Sequence, residues 1–288
     1  FDSASGTLSQ WTVGGRDLLV AGLTPNLWRA PTDNDSGANW LLRTSKVWKD
    51  ATENRRLESL THRRDGKAAL VTATYLMGAS TARFTITYRI AGTGTVEVEG
   101  EMQSLKDKLP IVPRIGMNLQ LAGAYSNLEW FGRGPHENYA DRKSAAAVSR
   151  YRSTVAEQYH DYSRPQETGG KTDVRWFALR DGAGQGLAFA GEELLGFSAL
   201  PVLQSDLDHD RSPKAPNRHG GLVEFRDLVS INIDHRQMGL GGINSWGALP
   251  LEKYRLKPGA YSWRFQMVPL SPGDDPAAAA RTAFAPPQ

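Results

Sequence analysis

The chain has 288 residues, 40% of them hydrophobic and 23% charged, with 34 Lys and Arg against 31 Asp and Glu, and it has no cysteine. That length suits one large β domain or two ordinary ones, and the composition predicts a sizeable core. The near-balanced, interspersed charge argues against a nucleic-acid partner, the lack of cysteine excludes disulfides, thiolate catalysis and Cys-type zinc sites, and no apolar run reaches membrane-spanning length.

The opening FDSASGTLSQWTVGG lacks the initiator Met, basic region and apolar stretch of a signal peptide. It reads as a strand-turn-strand already under way, which suggests a piece of something longer. RAPTDNDSGANW (29–40) follows, with Asp33, Asn34 and Asp35 close together. As a calcium loop counted from Asp33 its glycine comes one position early and Thr44 stands where a glutamate is needed, so a turn rich in Asx caps is the better reading. GANWLLRTSKVWKDATENRRLESL holds a helical turn or two.

Strand signals then dominate. ARFTITYRI alternates apolar and polar residues, and Gly92 and Gly94 turn it into TVEVEGEM, a hairpin. RIGMNLQLAG, NLEWFG, VRWFALRD, GQGLAFAG, LVSINIDH, LEKYRL and YSWRFQMVPL repeat the pattern, each bounded by Gly, Pro, Asn or Asp. SAAAVSRY and STVAEQYH read as short helices. Strands never alternate with long helices, which excludes a parallel α/β fold. Residues 1–270 are expected to form one all-β domain, a large antiparallel β-sandwich of two packed layers, and residues 271–288 a Pro/Ala-rich tail that adds little to the core.

Several polar groupings invite a chemical reading. The segment 132–170 contains Arg133, Glu137, Asp141, Arg142, Arg164, Glu167 and several tyrosines among Gly and Pro. It is either a cross-braced network holding a long excursion on the sheet or one wall of a sugar site, where planar hydrogen-bonders and aromatic faces serve. Glu137 and Glu167 are the available candidates for a two-carboxylate glycosidase pair, although nothing in their spacing requires it. DLDHD (206–210) reads as a solvated acidic loop, and the six histidines show no metal-ligand spacing. Most unusual is GLGGINSWGALP (239–250), which sets Trp246 among glycines and small polar residues that free the backbone to turn and leave a side chain standing out.

RAPTDNDSG, WFGRGPHENYADR, PQETGGKTDVRW and NIDHRQMGLGGINSWG, in this order and over residues 1–268, together resemble the C-terminal domain of the large glycoside hydrolase family 2 β-galactosidases. The resemblance implies a supersandwich fold, galactose-mutarotase-like, with the catalytic glutamates on a preceding TIM barrel and no catalytic residue in this chain. It implies that Trp246 lines the sugar site with Asn244 beside it as a second substrate-binding residue. It also implies that the segment 37–45, with Gly37, Ala38, Asn39 and Trp40, is a mobile loop near that site. The substrate would be a terminal β-D-galactoside hydrolysed with retention, and the partner the barrel of the same enzyme, a cytoplasmic homo-oligomer when full length. No metal or cofactor is expected in this chain; a divalent metal and sodium would belong to the barrel. The residues alone leave two rivals, a carbohydrate-binding module and an aldose epimerase using His160 with Glu137.

Overall fold

A computed structural model describes residues 1–37, 40–208, 219–244 and 248–282. A short hairpin, β1 (Thr12–Val13) and β2 (Arg16–Asp17), precedes β3 (Leu19–Asn26), the short helix α1 (Asp33–Gly37), a π-helical turn at Leu41–Ser45 and α2 (Lys46–Glu53). Four long strands follow: β4 (Arg55–Asp65), β5 (Ala68–Met77), β6 (Ala82–Ile90) and β7 (Val96–Ser104). The second half contains β8 (Arg114–Ala122), β9 (Asn127–Gly134), β10 (Ala147–Thr154), β11 (Lys171–Arg180), β12 (Gly186–Leu200), α3 (Gln204–Leu207), β13 (Leu228–Gln237), β14 (Ala260–Leu270) and α4 (Pro276–Thr282). Every strand pairing is antiparallel.

The architecture turns on β12. Its first part, Gly186–Gly191, pairs with β14, and its last part, Gly196–Leu200, pairs with β13. Between them β12 advances from Ala190 to Leu195 while β11 moves only from Trp176 to Val174. The surplus residues form a bulge, and bulges bend strands. At Gly191 a Cβ would collide with the Glu193 carbonyl, so the bend needs glycine there. One arm then runs β12-β14-β7-β6-β5-β4 and the other β12-β13-β8-β3.

The arms fold over each other. β7 and β8 share no ladder, yet Met117 of β8 ends against Gly100 of β7, where any Cβ would strike its Cε. The expected two-layer sandwich is thus made by one forked sheet instead of two separate ones. Alternation fills the space between the layers with Phe84, Ile86 and Tyr88 of β6, Val96, Val98 and Met102 of β7, Ile115, Met117 and Leu119 of β8, and Val229, Ile231 and Ile233 of β13. Each such side chain contributes about 1.5–3 kcal/mol of burial free energy.

The opposite face of β13 is polar and still buried. Asn232 Nδ2 donates to Ser198 Oγ, Asn118 Nδ2 donates to Ser230 Oγ and Asn232 Oδ1, and Asn26 Nδ2 donates to Asn232 Oδ1 and Gln204 Oε1. Side chains from the segments around 26, 167 and 204 reach this face, so the site is assembled on a hydrogen-bonded floor.

Three local expectations need correction. LEKYRL is a single 3₁₀ turn, Glu252–Tyr254, with only one bridge, Leu256 to Val112. SAAAVSRY is mostly strand: β10 begins at Ala147 and pairs with β9 along its length. In the expected tail, α4 lies against β11 and β12, where Ala279 packs on Ala178, Ala188 and Leu270, and Arg180 donates to the Ser271 and Asp274 carbonyls. Among the described residues no helix is long and apolar enough to cross a membrane.

Candidate functional site

Two separate stretches of chain clamp the glycine-rich loop that follows β13, and a third braces the first of them. Thr32 and Asp35 first stabilise each other across the start of α1: the Thr32 amide donates to Asp35 Oδ2 at 3.0 Å and the Asp35 amide to Thr32 Oγ1 at 3.1 Å, a reciprocal capping arrangement. Asp35 also receives the fully buried Arg29 guanidinium through Nε at 3.1 Å and Nη2 at 2.9 Å. The remaining capacity of Arg29 goes to the loop, with Nη1 on the Met238 carbonyl at 2.7 Å and Nη2 on that of Gly239 at 3.1 Å.

Asn34 closes the loop on itself. Its Nδ2 donates to the Leu240 and Ala248 carbonyls, both at 2.9 Å, and so ties the two ends of the segment together. Asp141 holds the other side, accepting from the Leu240 amide at 2.9 Å and the Gly241 amide at 2.8 Å. Asp141 is itself set in a tight turn closed by reciprocal backbone bonds between Tyr139 and Arg142. Gly239 lies against the Asp141 carboxylate, and Gly241 and Gly242 have φ of +75° and +84°, which disfavours any other residue there. The fourth motif joins through Gln166, whose amide exchanges two hydrogen bonds with Asp33 at 3.0 and 2.9 Å.

The sequence-based candidates are distributed as follows. Trp246 lies with Ser245 and Gly247 outside the described residues, as do Ala38 and Asn39. Asn244 is exposed on the clamped loop beside Ile243, which is 74% exposed. Gly37 ends α1. Trp40, expected within a mobile loop, is instead a core side chain, with Leu41 fully buried after it and Ser45 Oγ bonded to the Ile111 carbonyl. The apolar faces of Trp40 and Leu41 gain more from the core than from solvent exposure, which roots this end of the segment.

Asp33, Asn34 and Asp35, weighed as calcium ligands, spend their oxygens and nitrogens on Gln166, the loop and Arg29, and the described residues contain no His, Asp and Glu cluster able to hold a metal. In the DLDHD segment, Asp208 accepts from Trp28 Nε1 at 2.8 Å and pairs with Lys49 at 2.7 Å, so it is a bracing residue and not part of a solvated loop. His209 and Asp210 lie outside the described residues.

The segment 132–170 borders an open cleft of about 680 Å³, lined by His136, Glu137, Asp141, Arg142, His160 and Tyr162 among others. Glu137 is saturated. It accepts from the Gly169 amide at 2.8 Å, Arg142 at 3.0 Å, Thr168 Oγ1 at 3.1 Å and Tyr139 at 3.4 Å, and also from the Tyr162 hydroxyl. The pKa of Tyr162 is raised by burial and by this carboxylate. A carboxylate with five donors on it has no lone pair ready for a substrate proton, which argues against the epimerase pair with His160. That imidazole packs edge-on to Tyr162, with ring centres 4.3 Å apart. Glu167 is likewise committed, accepting from Arg114 Nη2 at 2.7 Å in a buried pair. The two glutamates therefore brace the excursion.

Sequence reasoning missed the roles of Arg29, Asn34 and Asp141 as clamps, and of Arg114, Lys171 and Asp234 beneath them. Burial holds the Lys171 ammonium down to about 8, the nearby Glu137 opposing, and raises Asp234 to about 7 against the pull of Arg114. A signal did exist for Asp234: in LVSINIDH, Ser230, Asn232 and Asp234 fall on one face of a strand whose other face carries Val229, Ile231 and Ile233.

The fold is that of an antiparallel β protein with a buried polar face on β13 and a clamped glycine-rich loop after it. Residues 1–267 match the β-galactosidase small-chain family, and the chain belongs to it. A β-galactosidase of Priestia megaterium is 32% identical over 272 residues, covering 94% of this chain and 25% of its own length. One from Vibrio cholerae is 32% identical over 278 residues, covering 93% and 26%. The chain thus spans about a quarter of the length of these relatives. Among solved structures, an α-galactosidase from Lactobacillus brevis aligns over 94% of this chain and 30% of its own, with TM-score 0.41 and 10% identity. A galactose mutarotase related enzyme from Lactobacillus acidophilus aligns over 75% and 73%, with TM-score 0.41 and 12% identity.

Proposed function

We propose that this chain is the small-chain portion of a β-galactosidase, and that its Gly239–Pro250 loop presents Trp246, with Asn244, to the galactosyl ring of the substrate. The carboxylates that break the glycosidic bond would come from a barrel elsewhere in the enzyme, because the glutamates of this chain suited to the task are bound up in bracing. The reaction would be the retaining hydrolysis of a terminal β-D-galactoside, and the complete enzyme a cytoplasmic homo-oligomer.

One observation carries the reading: Arg29 and Asn34 from one motif and Asp141 from another, distant one all direct their polar groups to the backbone of one glycine-rich loop. A loop with no function would not need such anchoring, since exposed turns tolerate drift. Preorganising a platform lowers the ordering cost of binding, and an indole offers a broad flat face with only two rotatable bonds. Such a platform handles no protons and acts on affinity. The test is Asn34→Ala in the complete enzyme. The reading expects KM for a chromogenic β-galactoside to rise several-fold with kcat little changed, and unchanged KM would count against it.

A further inference from the structure

A second cavity, of about 370 Å³, lies over the end of the polar β13 face. Among the described residues none between 238 and 250 lines it, so it is built from different side chains than the clamped loop. Three groups in its wall have bonding capacity that the fold leaves unused. Asp234 is 4% exposed and, among the described residues, meets only the Arg114 Nε, at 3.5 Å, with no hydrogen bond to Oδ1. Gln237 Nε2 is buried and donates to nothing among the described residues. Lys171 is 3% exposed, gives one hydrogen bond to the Gly169 carbonyl at 3.1 Å, and sits 5.3 Å from the centre of the Trp130 ring. An ammonium has three N–H groups to give.

Unpaired polar groups of this kind are rare in folded interiors and need a reason. The charges of Glu167, Asp173 and Lys143 on the wall are already matched. Glu167 holds Arg114 at 2.7 Å, and Asp173 is shared by Arg133 and Lys143. The unused buried capacity is one acceptor, Asp234, and two donors, Gln237 and Lys171, with the Tyr254 and His235 rings and the Arg236 and Lys253 side chains on the same wall. An anionic ligand would have to approach the Asp234 carboxylate, and a cationic one the Lys171 ammonium. A hydroxyl both donates and accepts, so it satisfies both at once without bringing a new charge into a buried site. The volume lies in the range of small-molecule sites.

We propose that this cavity is a binding site for a neutral monosaccharide, with Asp234 accepting from its hydroxyls and Gln237 and Lys171 donating to them. Among the described residues the site shares no lining side chain with the 239–250 loop. The depressed Lys171 and elevated Asp234 protonation equilibria fit a site that is short of partners until a polar ligand enters.

The experiment titrates D-galactose and D-glucose into the 288-residue chain carrying Trp246→Leu, followed by saturation-transfer NMR and calorimetry. Removing Trp246 separates this site from the loop. Saturable binding of at least one sugar is expected to persist. It should weaken about threefold to tenfold in an added Gln237→Leu, by the loss of one hydrogen bond, and further in Lys171→Met. Gln237 Nε2 has no protein partner among the described residues, so Gln237→Leu should melt with its parent, and this keeps a binding loss distinct from misfolding. Failure of both sugars to bind the Trp246→Leu chain would overturn the proposal while leaving the loop reading standing. Binding that is equal with and without Gln237→Leu and Lys171→Met would overturn it too.

Discussion

Replacing Asp141 with alanine should release the glycine-rich loop without unfolding the domain. The Asp141 carboxylate accepts the Leu240 and Gly241 amides at 2.9 and 2.8 Å. A hydrogen bond to a charged group contributes about 1.5–3 kcal/mol. Asp141 is half-buried at the edge of the cleft, so solvent screening favours the lower end, about 3 kcal/mol for the pair. At 1.4 kcal/mol per factor of ten, local opening at these two amides should become about 100-fold more frequent. Amide hydrogen exchange reads this directly at Leu240 and Gly241, while amides in β6 and β7 should exchange as before. Gly239→Ala attacks the same contact from the other side, since a Cβ there would lie 2.6 Å from the Asp141 Cγ, and should expose the same two amides. Unchanged exchange at Leu240 and Gly241 in Asp141→Ala would refute the clamp.

Other predictions concern stability, pH and activity. Arg29→Met leaves Asp35 charged and buried and should cost about 3–5 kcal/mol, whereas Arg29→Met with Asp35→Leu should recover part of the loss, as calorimetric unfolding would show. Lys171 sits at about 8 in the folded chain against an ordinary 10.5, so the unfolded chain holds its proton more tightly. Stability should therefore rise as pH climbs between those values, by on the order of 3 kcal/mol, and denaturant melts of Lys171→Met should lack that rise. Asp234 has the opposite sign: folding raises its pKa from 3.8 to about 7, so its contribution is lost as pH rises towards 7, a slope that Asp234→Asn should flatten. The 288-residue chain alone should not hydrolyse a chromogenic β-galactoside, and turnover abolished by Glu137→Gln would mean that Glu137 is catalytic after all.

The strands legible in the sequence were those with one dry face. ARFTITYRI became β6 without a residue's error because Ala82, Phe84, Ile86 and Tyr88 alternate into the core. β10 was misread as helix because both of its faces are largely solvated, leaving Ala and Ser to suggest a propensity that pairing with β9 overrode. The fork in β12 was invisible because a bulge depends on the register of its partner strand and leaves only a glycine and three exposed residues as trace. Site legibility divides the same way. The glycines around Trp246 advertised a loop, but its anchors were hidden because Arg29, Asn34 and Asp141 lie about 100 to 210 residues from the backbone groups they hold. Such pairings are tertiary facts that no local spacing encodes.

The most direct test of the central claim is Trp246→Leu in the enzyme of which this chain would form the small-chain part, with galactoside kinetics and thermal unfolding measured on the same preparation. A stacked indole contributes about 0.5–1.5 kcal/mol beyond its buried area, so KM and inhibitor affinity should worsen about threefold to tenfold, with kcat and melting temperature held close to wild type. A melting temperature that falls by many degrees while KM stays normal would contradict the account, because Trp246 would then be a packing residue and the clamped loop would have no sugar to present it to.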